Sequence, residues 1–293
     1  MWTEFHPVED LVQYSNPKCG YLYNTNNSPF FATCPEENQN GAAFPSSFGF
    51  WTGQNNRGRR VEAWMSQHGE PFSHETFKML KYDRSLPPDS PTLAFLREIQ
   101  QLDVSQYPDL EGIITILRDW DLDTGPESVG ASVFHLLTHH ILTVKGGTSA
   151  MLRSMGPLTF DQAYYVEALT YARRHLERHF GTIHVPLGRL LRHRRGPVDL
   201  PMGGHPDVLG MTQAVPDKNG RFKAVVGDGF VMFARFSAEG VEIETSNAYG
   251  SSGRPESPHY TDQMELVVRQ RTKPMALDWE TVLAHAARVY HPN

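Results

Sequence analysis

At 293 residues the chain can bury a substantial core, in one large domain or two small ones, and its 39% hydrophobic and 11% aromatic content excludes a disordered polymer. A formal net charge of −6 gives no overall attraction to nucleic acid or anionic lipid, and no stretch approaches the ~20 apolar residues that span a bilayer.

Residues 1–60 read as irregular, rich in Gly, Pro and Asn, a composition suited to the wall of a cleft. Within them Gly20-Tyr21-Leu22-Tyr23 predicts a short strand, and residues 24–29, Asn24-Thr25-Asn26-Asn27-Ser28-Pro29, predict the turn that ends it. Asn favours such turns because it tolerates left-handed backbone angles and hydrogen-bonds its own main chain. An amide fixed there also offers a neutral donor, the group that stabilises an oxyanion. Cys19 and Cys34 flank the run. A bridge would close a loop of about 15 residues and contribute ~3 kcal/mol in the chain-entropy model, whereas two buried thiols would act as small hydrophobes; the residues leave both open.

Residues 61–200 read as mainly helical. Ser73 predicts an N-cap before His74-Glu75-Thr76-Phe77, and Ser90-Pro91 opens a further helix with Pro at the first helical position. Apolar spacing is helical over residues 110–120, 128–144 and 159–180, the last stopped by Gly181. The basic run Arg189-Leu190-Leu191-Arg192-His193-Arg194-Arg195 reads as a solvated loop after a helix, since it lacks the aromatic interleaving of a nucleic-acid site. In residues 201–293 the period changes. Residues 221–226, 230–236 and 241–245 alternate or run apolar, and Gly227-Asp228-Gly229 and Ala238-Glu239-Gly240 predict consecutive hairpins of one antiparallel sheet. A helix over residues 278–289 closes the chain, and helices followed by a meander make the class α+β.

Two groups among the 14 histidines invite a metal reading. His175 and His179 stand one helical turn apart, but Glu177 is misplaced for the metalloprotease pattern and neither this pair nor His135, His139 and His140 has a third ligand in the sequence. A solvated helix face alternating Arg, His and Glu is the simpler reading of the first pair, and core or interface histidines that of the second group. Ser251 in Gly250-Ser251-Ser252-Gly253 lacks the strand-to-helix setting of a nucleophile elbow.

Residues 16–30, then Gln54-Asn55-Asn56-Arg57-Gly58-Arg59-Arg60, Lys81-Tyr82-Asp83 and finally Gly250-Ser251-Ser252-Gly253-Arg254-Pro255-Glu256-Ser257-Pro258-His259-Tyr260-Thr261-Asp262-Gln263 occur in a familiar order. The chain resembles, over residues 16–275, the large subunit of penicillin acylase family enzymes, which include acyl-homoserine lactone acylases and aculeacin acylase-like proteins. The resemblance implies hydrolysis of a small N-acylated amide by an N-terminal Ser nucleophile; no cofactor is expected, no metal ligand is named from the residues, and a calcium site stays open. It implies a four-layer αββα sandwich of which these α+β elements form part. It places Asn26 on the family's oxyanion amide and Arg57 on an Arg that helps orient the site in some family members; Asn24, Asn27 and Phe30 are the substrate-binding candidates, Asn24 and Asn27 also being read as supports of the turn. Set against the family, residues 1–293 form one region resembling the C-terminal half of a large subunit. Met1 and Trp2 are not nucleophiles, and Ser246-Asn247 or Thr25-Asn26 are poor internal starts, so the Ser is expected in an upstream half. That half and a small subunit are the implied partners, in a periplasmic or extracellular location. The rival reading is the same scaffold as a non-catalytic binding or assembly module.

Overall fold

The computed structural model describes residues 5–68, 72–144, 157–286 and 288–290. After an irregular N-terminal stretch come helices α1 (Asn56–His68), α2 (His74–Lys81), α3 (Ala94–Gln100), α4 (Glu111–Arg118), α5 (Val129–Val144), α6 (Gln162–Phe180) and the single turn α7 (Leu187–Leu190). Strands β1 (Leu191–Arg195), β2 (Val198–Pro201), β3 (Thr212–Pro216), β4 (Phe222–Gly227), β5 (Phe230–Ser237) and β6 (Gly240–Asn247) follow, then α8 (Met264–Val268), β7 (Lys273–Pro274) and α9 (Trp279–Ala284). The class is α+β.

Helices α3 to α6 share the main core. Their inward faces carry Phe95, Leu96, Ile99, Ile113, Ile114, Leu117, Phe134, Leu137, Leu169 and Leu176, all at most 2% exposed. Each such side chain contributes ~1.5–3 kcal/mol on burial, which accounts for the survival of short helices such as α3 and α4 that would not persist alone. α5 approaches Trp120 so closely that a Cβ on Gly130 would lie 2.2 Å from the indole Cγ. α6 begins where the Asp161 carboxylate accepts from Tyr164 N at 2.8 Å and ends at Gly181, whose φ of 75° lies in the left-handed region that favours glycine.

The strands form two sheets rather than one. The first has the order β2-β1-β4-β3, with β1 parallel to β4 and the other pairs antiparallel; the second has the order β5-β6-β7. β5 and β6 pair through Ser237↔Gly240, so the Ala238-Glu239-Gly240 hairpin is present. The expected hairpin at Gly227-Asp228-Gly229 is not. Asp228 is drawn to Lys81 at the end of α2 by a 2.6 Å ion pair, and Phe233 of β5 packs edge-on against Phe77 and Tyr82, so β5 leaves β4 for α2. On the neighbouring strand Glu244 accepts from Lys78, His74 and Thr272, bonds that hold its carboxyl down at about 2.

Two further expectations are corrected. Gly20-Tyr21-Leu22-Tyr23 belongs to no strand; Tyr23 N donates to Ala32 O at 2.8 Å, a tie across a loop rather than a ladder. The basic run 189–195 is the last residues of α7 and strand β1, and its cations have internal partners. Arg192 meets Asp199 at 2.7 Å, Arg194 pairs with Asp217, and the Arg195 guanidinium lies 4.8 Å from the Tyr249 ring and 4.0 Å from that of Tyr260. No helix among the described residues is long and apolar enough to cross a membrane.

Candidate functional site

The Asn turn is built by its own side chains. Asn24 Oδ1 accepts from Asn26 N at 2.8 Å, and Asn27 Oδ1 accepts from Thr25 N at 2.8 Å and Thr25 Oγ1 at 2.9 Å, two overlapping side-chain turns that hold Asn26 at φ 58°. The Asn27 amide donates onward to Ser28 O and Phe31 O. Asn27 is therefore committed to the turn, while Asn26 projects from it.

α1 begins directly against this turn. Asn55 caps the helix, its Oδ1 accepting from Gly58 N at 2.8 Å, while its Nδ2 donates to Thr25 O at 3.0 Å and its Oδ1 lies 3.2 Å from Thr25 Oγ1, whose one hydrogen it shares with the shorter bond to Asn27. One buried amide thus joins helix to turn. Asn56, also buried, donates from Nδ2 to Thr92 Oγ1 at 2.9 Å and accepts from Ser90 Oγ, which fixes the helix start to the segment ahead of α3. A Cβ on Gly58 would lie 3.0 Å from Gln54 Cγ, so the helix start packs closely on the Gln54 side chain. Further along α1, Arg60 and Trp64 both donate to Asp83 Oδ2, at 2.7 and 2.6 Å.

Arg57, in the first turn of α1, carries its charge at the positive end of the helix dipole, an unfavourable place that calls for a counter-charge. Its Nη1 donates to Asn26 Oδ1 at 3.0 Å, and its Nε lies 3.9 Å from Asp207 Oδ1, the two side chains being 12% and 1% exposed. Asp207 comes from the loop between β2 and β3. Among the described residues no acceptor meets Asn26 Nδ2.

Phe30 is buried, packed with Phe44 at 5.4 Å and edge-on to Phe50 at 5.9 Å between ring centroids. Cys19 and Cys34 are joined by a disulfide with Cα atoms 6.4 Å apart, so the covalent loop encloses the Asn turn. Of the expected site residues the structure brings Asn24, Asn26, Asn27 and Arg57 together. Thr25, Asn55 and Asp207 join them unforeseen. Only Asn55 left a sequence signal, an Asn three residues ahead of Gly58 at the start of the helical spacing Val61-Trp64-Met65.

Burial, then the nearby Glu62 carboxylate, pushes the Tyr23 phenol up, so it stays a neutral donor to Glu62 Oε1 at 3.1 Å. For metals, Cys19, Cys34 and Glu37 are the set of three donors that come within 4.8 Å of one another among the described residues, and both sulfurs belong to the disulfide. His175 and His179 stand 4.7 Å apart between ring centroids, and His175 Nε2 is 2.7 Å from Gly220 O. The segment 250–263 folds on itself through Ser252 N to His259 O at 3.1 Å, and Gln263 Oε1 closes it onto Asn247 N at 2.9 Å.

The family model described as penicillin amidase matches residues 1–284. Among solved structures, the thermostable penicillin G acylase from Alcaligenes faecalis is similar over 95% of this chain at 18% identity, with a TM-score of 0.46. This chain spans 57% of that protein's chain. With the family model matched over nearly its whole length, the chain belongs to the penicillin amidase family.

Proposed function

We propose that the Asn26–Arg57 pair is the oxyanion-stabilising part of an acylase that cleaves small N-acylated amides. Family membership supports amide hydrolysis at the level of the family. The observation that carries the residue assignment is the 3.0 Å contact from Arg57 Nη1 to Asn26. A guanidinium has donors and no acceptor, so the Asn26 atom facing it must be Oδ1. The amide is thereby held in one flip, with Nδ2 as the outward donor, and an oriented neutral donor costs no reorganisation when charge develops on the substrate oxygen.

In this reading an N-terminal Ser of the family type, from a segment outside residues 1–293, attacks the amide carbonyl. Its own α-amino group, titrating near pH ~8, takes the hydroxyl proton. Asn26 Nδ2 donates to the oxygen of the tetrahedral intermediate, the amine leaves, and water hydrolyses the acyl-enzyme. Asn24 and Asn27 shape the substrate side of the turn, and Phe30 with its aromatic neighbours backs it. The two sheets are then parts of a four-layer αββα sandwich completed by an upstream half and a small subunit. The exposed apolar side chains of Phe230, Met232 and Phe236 on β5 support that extension.

The test is Asn26→Asp in the assembled acylase, with turnover followed on a chromogenic phenylacetyl amide and a panel of acyl-homoserine lactones. Replacing the donor by an acceptor of nearly the same shape is expected to lower kcat by ~10²–10³-fold with a much smaller change in KM. Equal losses for Asn26→Asp and Asn27→Asp, or an assembled wild type that leaves every amide intact, would remove support for the acylase reading and favour a non-catalytic module.

A further inference from the structure

We propose that Asp207 is a positioning residue of this site: it sets the guanidinium of Arg57 and, through it, the side-chain amide of Asn26. The proposal rests on the acylase reading above for its catalytic consequence, and on the geometry alone for the coupling.

Asn26 projects from a surface turn, and its side chain is fixed from outside the turn by Arg57 at 3.0 Å. An arginine that served only as a surface donor would sample many rotamers. Arg57 is only 12% exposed, and the Asp207 carboxylate lies 3.9 Å from its Nε with 1% exposure. The 3.9 Å separation is an ion-pair contact rather than a hydrogen bond, and because the guanidinium is a rigid plane, a buried charge held beside its Nε edge biases where Nη1 points. Asp207 thus acts on the far edge of the plane whose near edge holds Asn26.

The loop that carries Asp207 is rigid enough to serve as a reference. Gly204 N donates to Thr124 O at 2.7 Å, Thr212 N to His205 O at 3.2 Å, and Gly210 N to Asp83 O at 2.8 Å. Gly204 has φ 108°, and a Cβ on it would lie 2.5 Å from Gly210 O, so the loop closes on itself around a glycine. Asp83 in turn holds Arg60 of α1 at 2.7 Å. Loop and helix are therefore tied at two points, the Asp83 bridge and the Arg57–Asp207 pair.

Stability alone is a weak reason for such a pair. A buried ion pair is commonly replaced by apolar residues at no cost to folding, and its best-attested use is to fix register. Here the register it fixes is that of Arg57 relative to the Asn turn.

The experiment uses Asp207→Asn, which keeps the shape and removes the charge, and Asp207→Glu, which keeps the charge and moves it by one methylene. Asp217→Asn, which breaks the separate pair with Arg194, serves as control. Side-chain ¹H–¹⁵N spectra report the Arg57 Nε–H and Asn26 Nδ2–H₂ resonances, and kcat and KM are measured in the assembled acylase. Both Asp207 variants are expected to shift the Arg57 and Asn26 resonances together, and Asp207→Asn to lower kcat about tenfold with KM within about twofold, while the control moves neither. An Asn26 resonance that stays in place when that of Arg57 moves overturns the proposal, as does failure of both variants to fold, which would make Asp207 a stability residue. A wild type without amidase activity whose resonances still move together sinks the acylase reading and leaves the coupling intact.

Discussion

Asn55 is the residue on which turn and helix both depend, since its one amide caps α1 and holds Thr25 O. Asn55→Ala removes the cap and leaves buried partners unmet, so a loss of ~1–3 kcal/mol is expected, read as a lowered urea midpoint with unchanged slope. Asn24→Ala, which loses one exposed bond, is expected to cost much less, and equal costs would deny Asn55 its bridging role. At this scale the sequence exposes residues whose type is itself a signal. The Asn run and Arg57 stand out through residue type and resemblance. Asp207 does not, because a buried carboxylate contributed by a distant loop has no local pattern, and its meaning appears only when the β2–β3 loop is laid against α1.

Among the elements, α5, α6 and β4 enclose a group of histidines that the fold holds neutral. Burial, then the neighbouring His139 and His175, pushes His135 down to about 3, and burial, then His135, pushes His205 down to about 3. His135 stands edge-on to Phe222 at 4.6 Å, and His205 has Thr138 at 3.4 Å and the Phe134 ring at 4.9 Å. Both folded values lie below the ordinary 6.5. Below that pH the unfolded chain binds protons that the folded chain does not. The stability they contribute is present above pH 6.5 and is lost as pH falls toward 3, at up to ~1.4 kcal/mol per pH unit for each group. Urea midpoints are expected to fall steadily below about pH 6.5, and His135→Gln to flatten the slope by up to ~1.4 kcal/mol per pH unit, His139, His175 and His193 being lowered by burial as well. An unchanged slope in that variant would assign the acid lability elsewhere. Helices α4, α5 and α6 were legible from apolar spacing, with ends displaced by a few residues, whereas α1 and α8 were not singled out. The division of the strands into two sheets was not, because the Asp228–Lys81 pair and the packing of Phe233 on α2 outweigh the turn preference of Gly-Asp-Gly, and both partners lie far away in sequence.

For the whole molecule, the composition and the order of periodicities were enough to read the α+β class, whereas the parallel β1–β4 pairing depends on long-range register that no local pattern encodes. The exposed large apolar side chains concentrate in the last third of the chain: Phe230, Met232 and Phe236 on β5, and Trp279 and Leu283 on α9. Surfaces of this kind favour association. The chain on its own is expected to scatter light as oligomers and to bind a hydrophobic dye, and Phe236→Lys with Trp279→Lys is expected to reduce both. A monodisperse wild-type monomer with a single cooperative melt would show that these side chains need no cover.

The pairing of Arg57 with Asp207 also orders events in time. The Cys19–Cys34 loop, the Asn turn and the cap on α1 all lie within the first sixty residues and can form as soon as that segment emerges. The carboxylate that completes the arrangement arrives only after the helical layer and the first two strands have been made, and closing so long a loop is slow. A nascent or prematurely ended chain can therefore display the whole asparagine motif while Arg57 still swings freely, so the motif matures early and the aim of its amide late.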